Sequence, residues 1–258
     1  MSLISLDETS LQSDEYTVLD NLTSKMRGVP QHVAIAMDGN RRWATKRLMP
    51  SMVGHWKGAE VITKVVRAAS SMGIKVLTLY AFSTENWNRS KNEVDELMKV
   101  FSHYLKKNLE FMIKEGVRLN CIGDLTKLPA GLQDLFAQTM DATKNGKSID
   151  LVLAINYGGR DEICRAFRSI AEDLQKGLLK KEDISEDLIS SYLDTAEWKD
   201  PDLFIRTSGE QRLSNFLLWQ FSYTEVYITK TLWPDFDESN LLQAVIEYQK
   251  RQRRLGGT

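Results

Sequence analysis

Four short polar segments hold the residues whose types and spacing suit chemistry on anionic ligands. They are Asp38-Gly39-Asn40-Arg41-Arg42-Trp43, Ser83-Thr84-Glu85-Asn86-Trp87-Asn88-Arg89, Asn156-Tyr157-Gly158-Gly159-Arg160 and Arg206-Thr207-Ser208-Gly209-Glu210-Gln211-Arg212. Guanidinium groups offer fixed forks of donors that match phosphate oxygens. Glycines beside them let backbone amides approach an anion closely. A carboxylate among arginines, Asp38 with Glu85 as a second candidate, is suited to magnesium, which takes one or two protein carboxylates together with phosphate oxygens and water. Taken singly, each arginine reads as a surface ion-pair partner. The coincidence of four such segments instead points to a diphosphate site with a metal.

Each segment follows directly on an apolar run: His32 to Met37, Val76 to Phe82, Leu151 to Ile155, and Leu203 to Ile205. These runs do not alternate with polar residues, which is the pattern of parallel strands covered on both faces. Further strands are expected at Arg118 to Ile122 and Val226 to Thr229. Between them Val94, Leu97, Met98, Phe101, Tyr104, Leu105, Leu109, Met112 and Ile113 form one apolar helical stripe that Gly116 should end. Other helices are expected at Lys57 to Ser71, Gly131 to Thr143, Asp161 to Gln175 and Glu238 to Arg251, and Lys176 to Asp187 reads as a solvated connection. The pattern predicts a single α/β domain over 31–258, a mostly parallel central sheet flanked by helices, preceded by an N-terminal arm over 1–30. In such a sheet the carboxyl ends of the strands share one edge, so the four polar segments should converge there.

Composition removes several alternatives. With 34 Lys and Arg against 35 Asp and Glu, the net charge of −1 supplies no field that would gather nucleic acid. Cys121 and Cys164 are the two cysteines, without a CxxC pair, which fits a reduced cytoplasmic setting. The acidic start lacks a secretory pattern, and no apolar run is long enough to cross a bilayer. Gly146-Lys147-Ser148 fails as a phosphate loop because Asp141 stands where the loop needs glycine, and no GxGxxG follows the first strand. No HExxH and no Asp-Asp pair occurs.

Assembled in order, these motifs resemble the cis-prenyltransferase family, nearest to its bacterial undecaprenyl diphosphate synthase branch. The match runs from about His32 to Gly257 and adds Gly54-His55-x-x-Gly58, Ser214-Asn215-Phe216 and Trp233-Pro234-Asp235-Phe236. The resemblance implies a magnesium-dependent enzyme that condenses isopentenyl diphosphate onto an allylic diphosphate, farnesyl diphosphate, to make a long polyprenyl diphosphate, undecaprenyl diphosphate for a cell-wall lipid carrier. Asp38 would be catalytic and would hold magnesium with Glu225. Gly39, Asn40, Arg41, Arg42, Trp43 and His55 would hold the primer diphosphate. Arg206, Arg212, Leu213 and Ser214 would hold the isopentenyl diphosphate. Ser83, Thr84, Glu85, Trp87 and Arg89 would lie between, with Asn86 a candidate for proton removal, although an amide is a poor base alone. Arg254-Leu255-Gly256 would reach across a homodimer, and lipid release implies peripheral membrane contact. An apolar tunnel, walled by the Val94 to Ile113 helix and closed near Ile149, would house the product. Ser51 stands where many relatives carry arginine, with Arg47 a possible substitute, and Gln211 where some carry histidine. The same fold also serves as a non-catalytic accessory subunit of heteromeric members; the intact Asp38, Arg42, Asn86 and Arg206 count against that role. An unrelated α/β phosphotransferase or nucleotide-binding protein is the other competing class.

Overall fold

Continuous apolar runs form the centre of a six-stranded sheet, as their lack of alternation predicts. The computed structural model describes residues 28–251. The strands are β1 (His32–Ala36), β2 (Val76–Ser83), β3 (Val117–Ile122), β4 (Ile149–Tyr157), β5 (Leu203–Arg206) and β6 (Glu225–Ile228). Their order is β3-β4-β2-β1-β5-β6, and every neighbouring pair is parallel. Among the described residues seven α-helices accompany them: α1 (Asn40–Lys46), α2 (Ser51–Ser71), α3 (Lys91–Lys114), α4 (Ala130–Thr143), α5 (Gly159–Gln175), α6 (Glu186–Ser191) and α7 (Glu238–Gln249).

Alternate strand residues divide between two cores. Val33, Ile35, Leu77, Leu79, Leu151 and Leu153 pack under α2, α3, α4 and α7. Ala34, Ala36, Val152, Ala154 and Phe204 face the other way, onto Phe216 and Leu217. Register shifts between Tyr80 and Phe82 and between Phe82 and Ser83 mark an irregularity that turns Phe82 into the first core. Gly116 has φ 66 just past the end of α3, the left-handed turn that only glycine adopts freely.

Three helices depart from expectation. The Asn40–Lys46 stretch is helical, and α2 begins at Ser51, six residues before the expected start, with Pro50 as its N-cap. Close approach fixes this helix pair: a Cβ on Gly54 would lie 2.0 Å from the Asn40 carbonyl oxygen, and one on Gly58 would lie 2.4 Å from Asn40 Oδ1. The last residues of the expected Lys176–Asp187 connection begin α6, capped by Ser185. The expected arm over 1–30, but for its last three residues, lies outside the described residues.

Candidate active site

The carboxyl ends of β1, β2, β4 and β5 bring their polar segments together, as the parallel topology requires. Two open lobes meet at Asp38. The larger, about 470 Å³, is lined by Asp38, Asn40, His55, Ser83, Glu85, Asn86, Arg89, Arg206, Arg212, Ser214 and Asn215, together with apolar residues that include Leu97. The second, about 340 Å³, is lined by Met37, Asp38, Gly39, Asn40, Arg41, Arg42, His55 and Arg89. Asp38, Asn40, His55 and Arg89 belong to both, so one carboxylate stands where two cationic basins join.

The frame around Asp38 is rigid. Its backbone N–H donates to Thr207 Oγ1 at 2.7 Å, and its carbonyl accepts from the Thr207 hydroxyl at 2.8 Å and from the Trp233 N–H at 2.9 Å. Gly39 has φ 106 and is pressed against Leu232 and Ser208, so a side chain there would both strain and collide. The Arg206 side chain, 4% exposed, contacts the Asp38 carboxylate, which is 37% exposed. Arg206 also donates to the Arg212 carbonyl at 2.9 Å and to Ser214 Oγ at 3.2 Å. Arg42 donates to Ser208 and, at 2.7 Å, to Glu210, which also pairs with Arg212. The arginines hold and position one another through shared acceptors.

Seven buried side-chain polar atoms among the described residues lack a hydrogen-bond partner, and four line this cleft: Asn40 Oδ1, His55 Nε2, Arg206 Nε and Asp38 Oδ2, the last already ion-paired with the Arg206 guanidinium. Buried polar atoms are rarely left unpaired, so their convergence points to a ligand that completes them. Burial, and then Arg89, pull the His55 pKa down to about 4, which leaves the imidazole neutral. Burial alone would raise Glu85, yet the Asn215 amide donates to it at 2.8 Å and, with further hydrogen bonds, holds it below the usual carboxylate range.

Several residues assigned by sequence fall outside the lobes. Trp43 is buried with Ala44 and Leu232; its Nε1–H donates to Asp235 at 2.6 Å. Trp87 stacks edge-on to Phe82 and donates to Asn156 at 2.7 Å. Thr84 sits against Gly158, and Leu213 lines neither lobe. Arg47, the possible stand-in at Ser51, lies over the Trp43 ring and pairs with Asp235, so it does not enter the cleft. Glu225 opens β6 level with Leu203 and Val33, at the amino edge of the sheet, about 16 Å along the strands from Asp38 at ~3.3 Å per residue. Its carboxylate binds Arg251 at 2.7 Å, so one protomer cannot bring Glu225 and Asp38 to one ion. No group of three or more His, Cys, Asp or Glu suited to a metal occurs among the described residues. Arg254 and Gly256 lie outside them.

Glu93 escaped the sequence, and Asn215 and Thr207, though within the motifs, were given no role by it. Glu93, on the first turn of α3, pairs with Arg89 at 3.0 Å and faces Arg41 and His55, each at 3.9 Å. Its signal was the Arg89–Glu93 spacing of four. Asn215, with φ 62, donates to Glu85 and accepts from the Arg160 N–H and the Gly159 N–H. Thr207 holds the Asp38 backbone, as above.

An apolar hollow of about 50 Å³ adjoins the cleft through Met37, Asn40, His55, Ala81 and Leu97. Leu97, Phe101 and Tyr104 of the expected helical stripe line it, with Val100 beside them, but the hollow does not itself form the expected tunnel. Ile149 is packed at the start of β4 and does not line it.

Comparison with known proteins gives one consistent result. The prenyltransferase family model described as "Putative undecaprenyl diphosphate synthase" matches residues 36–256. An isoprenyl transferase of Chlamydia trachomatis is 47% identical over 251 residues, covering 96% of this chain and 99% of the relative. One from Geobacillus kaustophilus is 49% identical over 229 residues, covering 89% of each. Among solved structures, lavandulyl diphosphate synthase from Lavandula x intermedia, in complex with dimethylallyl diphosphate, superposes with TM-score 0.87 at 40% identity, covering 88% of this chain and 98% of that one. A "probable undecaprenyl diphosphate synthase" from Campylobacter jejuni superposes with TM-score 0.75 at 34% identity, covering 90% and 100%.

Proposed function

The chain belongs to the undecaprenyl diphosphate synthase family of prenyltransferases, and we infer that it condenses isopentenyl diphosphate onto farnesyl diphosphate to build a long cis-polyprenyl diphosphate. One observation carries this reading: two cationic lobes that share Asp38 and open onto an apolar hollow. A relative in complex with dimethylallyl diphosphate supports an allylic diphosphate as one ligand.

The Arg41–Arg42 lobe takes the allylic diphosphate, and the lobe with Arg206, Arg212 and Ser214 takes the isopentenyl diphosphate. The allylic carbon–oxygen bond breaks with its electron pair passing to the leaving diphosphate, whose charge the guanidinium donors stabilise. The isopentenyl double bond then forms the new carbon–carbon bond, and loss of one proton restores a double bond. Asn86 Oδ1 already accepts the Ser83 N–H at 3.2 Å. Its free end is therefore the NH2, a donor that orients an oxygen, and the proton leaves to a diphosphate oxygen or water. Neutral His55 adds no further positive charge between the lobes.

A magnesium ion fits the donor set: the Asp38 side chain, its Oδ2 paired with Arg206, is 37% exposed where the two lobes join, and a single carboxylate with diphosphate oxygens and water is ordinary magnesium ligation. When bound, it neutralises charge on a departing diphosphate. Glu225 can reach such an ion only from a second copy, which fits a homodimer. No described helix is long and apolar enough to cross a membrane; a cytoplasmic enzyme delivering a cell-wall lipid carrier would meet the bilayer peripherally.

The test is incubation of purified protein with labelled isopentenyl diphosphate, farnesyl diphosphate and magnesium, with sizing of the extracted lipid. A ladder of labelled polyprenyl products is expected. Absence of any labelled lipid overturns the proposal.

A further inference from the structure

The loop after β5 is held in an unfavourable backbone. Ser214 (φ 52), Asn215 (φ 62) and Leu217 (φ 43) all take the left-handed conformation, which asparagine tolerates but serine and leucine avoid. Strain of this kind persists only where surrounding contacts over-determine it. Ser214 also lines the larger lobe and accepts from Arg206, so the strain sits within the candidate active site.

The loop is tethered at three points. Phe216 and Leu217 are fully buried in the second core. The Asn215 carbonyl accepts the Gly159 N–H at 2.7 Å, and its side chain accepts the Arg160 N–H and donates to Glu85. Ser214 itself is held from β2: the Tyr80 hydroxyl donates to the Ser214 carbonyl at 3.3 Å and to the Tyr157 carbonyl at 3.2 Å, sharing its one proton between them. Ser83 is hydrogen-bonded to the same hydroxyl. One phenol therefore joins the carboxyl ends of β2 and β4 to the loop after β5.

Tyr80 is seated firmly enough for that task. Its ring stacks on Phe216 with centroids 4.3 Å apart and meets Tyr157 edge-on at 6.1 Å. Tyr157 is fixed in turn, because its hydroxyl donates at 2.5 Å to buried Glu162, which also accepts from Gln220 and the Asp194 N–H. Burial, and then the charge of Glu85, raise the Tyr80 phenol above its usual range, so it stays protonated and remains a donor. Tyr80 lines the larger lobe but not the one that holds Arg41 and Arg42.

We propose that Tyr80 is a positioning residue for isopentenyl diphosphate, latching the strained loop over 212–217 so that Ser214 and Arg212 meet the diphosphate already in place. This rests on the prenyl-elongating function and the lobe assignment inferred above. Without the hydroxyl the loop relaxes towards ordinary backbone angles, and the ligand must re-impose the strained form as it binds, which weakens its affinity.

The test is Tyr80→Phe in the full-length protein, which removes the hydroxyl and keeps the ring stack. KM for isopentenyl diphosphate should rise about 3- to 10-fold, the worth of one hydrogen bond, while KM for farnesyl diphosphate and Tm stay nearly unchanged. Hydrogen exchange over 212–217, measured without substrate, should be faster than in wild type and slow again with saturating isopentenyl diphosphate. Adding Tyr80→Phe to Ser214→Ala should raise KM less than it does in wild type, because the hydroxyl acts through the loop. An unchanged isopentenyl KM, an equal rise for both substrates, unchanged exchange, or fully additive effects in the double variant overturns the positioning role and leaves the elongating function standing. If wild-type protein makes no labelled lipid, the elongating function fails and the positioning role falls with it.

Discussion

Replacing Arg206 by methionine separates structure from function at the cleft because its guanidinium is nearly inaccessible yet serves an open lobe. The residue is 3% exposed, contacts Asp38, and donates to the Arg212 carbonyl and Ser214 Oγ. Removing one member of a fully buried ion pair costs about 3–5 kcal/mol because the other charge is stranded. Here the Asp38 side chain is 37% exposed, so water takes over much of its solvation, and the desolvation of Arg206 is itself relieved. The net loss of stability should be about 1–2 kcal/mol, a fall in Tm of roughly 2–8 °C for a chain of this size. The lobe proposed for isopentenyl diphosphate, however, loses its buried cation. Two charge-assisted hydrogen bonds to a diphosphate, at about 1.5–2 kcal/mol each, correspond to a fall of about 10²- to 10³-fold in kcat/KM. Steady-state rates with isopentenyl diphosphate varied and farnesyl diphosphate saturating, alongside thermal unfolding, check this. KM for isopentenyl diphosphate should rise while that for the primer stays nearly unchanged. Wild-type kinetics in the Arg206→Met protein would refute the assignment of this lobe.

Other outcomes follow from the same geometry. Asn86→Asp keeps the acceptor for the Ser83 N–H but loses the NH2 donor, so turnover should fall about 10²-fold at unchanged Tm, whereas retained turnover would mean that the amide donor is dispensable. Gly58→Ala would place a Cβ 2.4 Å from Asn40 Oδ1 and 2.8 Å from Trp233, which should cost about 1–3 kcal/mol in urea unfolding and weaken primer binding. Burial lowers the His32 pKa from 6.5 to about 4. The folded state therefore binds fewer protons than the unfolded chain between those values, so this residue's share of stability is complete above pH 6.5. That share is lost as pH falls towards 4, by about 3 kcal/mol. Urea midpoints at pH 7 and 4.5 measure the loss, and His32→Gln should reduce it.

The sheet was legible because β1, β2, β4 and β5 are uninterrupted apolar runs, and parallel strands align their following loops at one edge. That rule brought Asp38, Asn86, Arg89, Arg206 and Arg212 together without any knowledge of contacts. Helix α1 was hidden because Asn40–Lys46 has no apolar period; packing of Trp43 and Ala44 and the close approach of Gly54 hold it instead. Trp43 and Trp87 lie within the polar segments, but spacing does not report that their indoles turn away to Asp235 and Asn156. Glu93 sits at a position that reads as a helix start, with its N–H bonded to Ser90, and its second role toward Arg89, Arg41 and His55 appears only in three dimensions. Glu225 was placed at the metal by resemblance alone, although it directly precedes the expected Val226–Thr229 strand and a parallel sheet puts that end at the edge opposite Asp38.

The most direct measurement is turnover of Asp38→Ala beside wild type, with labelled isopentenyl diphosphate, farnesyl diphosphate and magnesium. A carboxylate that joins both lobes and, as proposed, holds the ion should be worth at least about 10³-fold in turnover, with little change in Tm because its side chain is partly in water. Turnover at the wild-type rate in a folded Asp38→Ala protein would contradict the account.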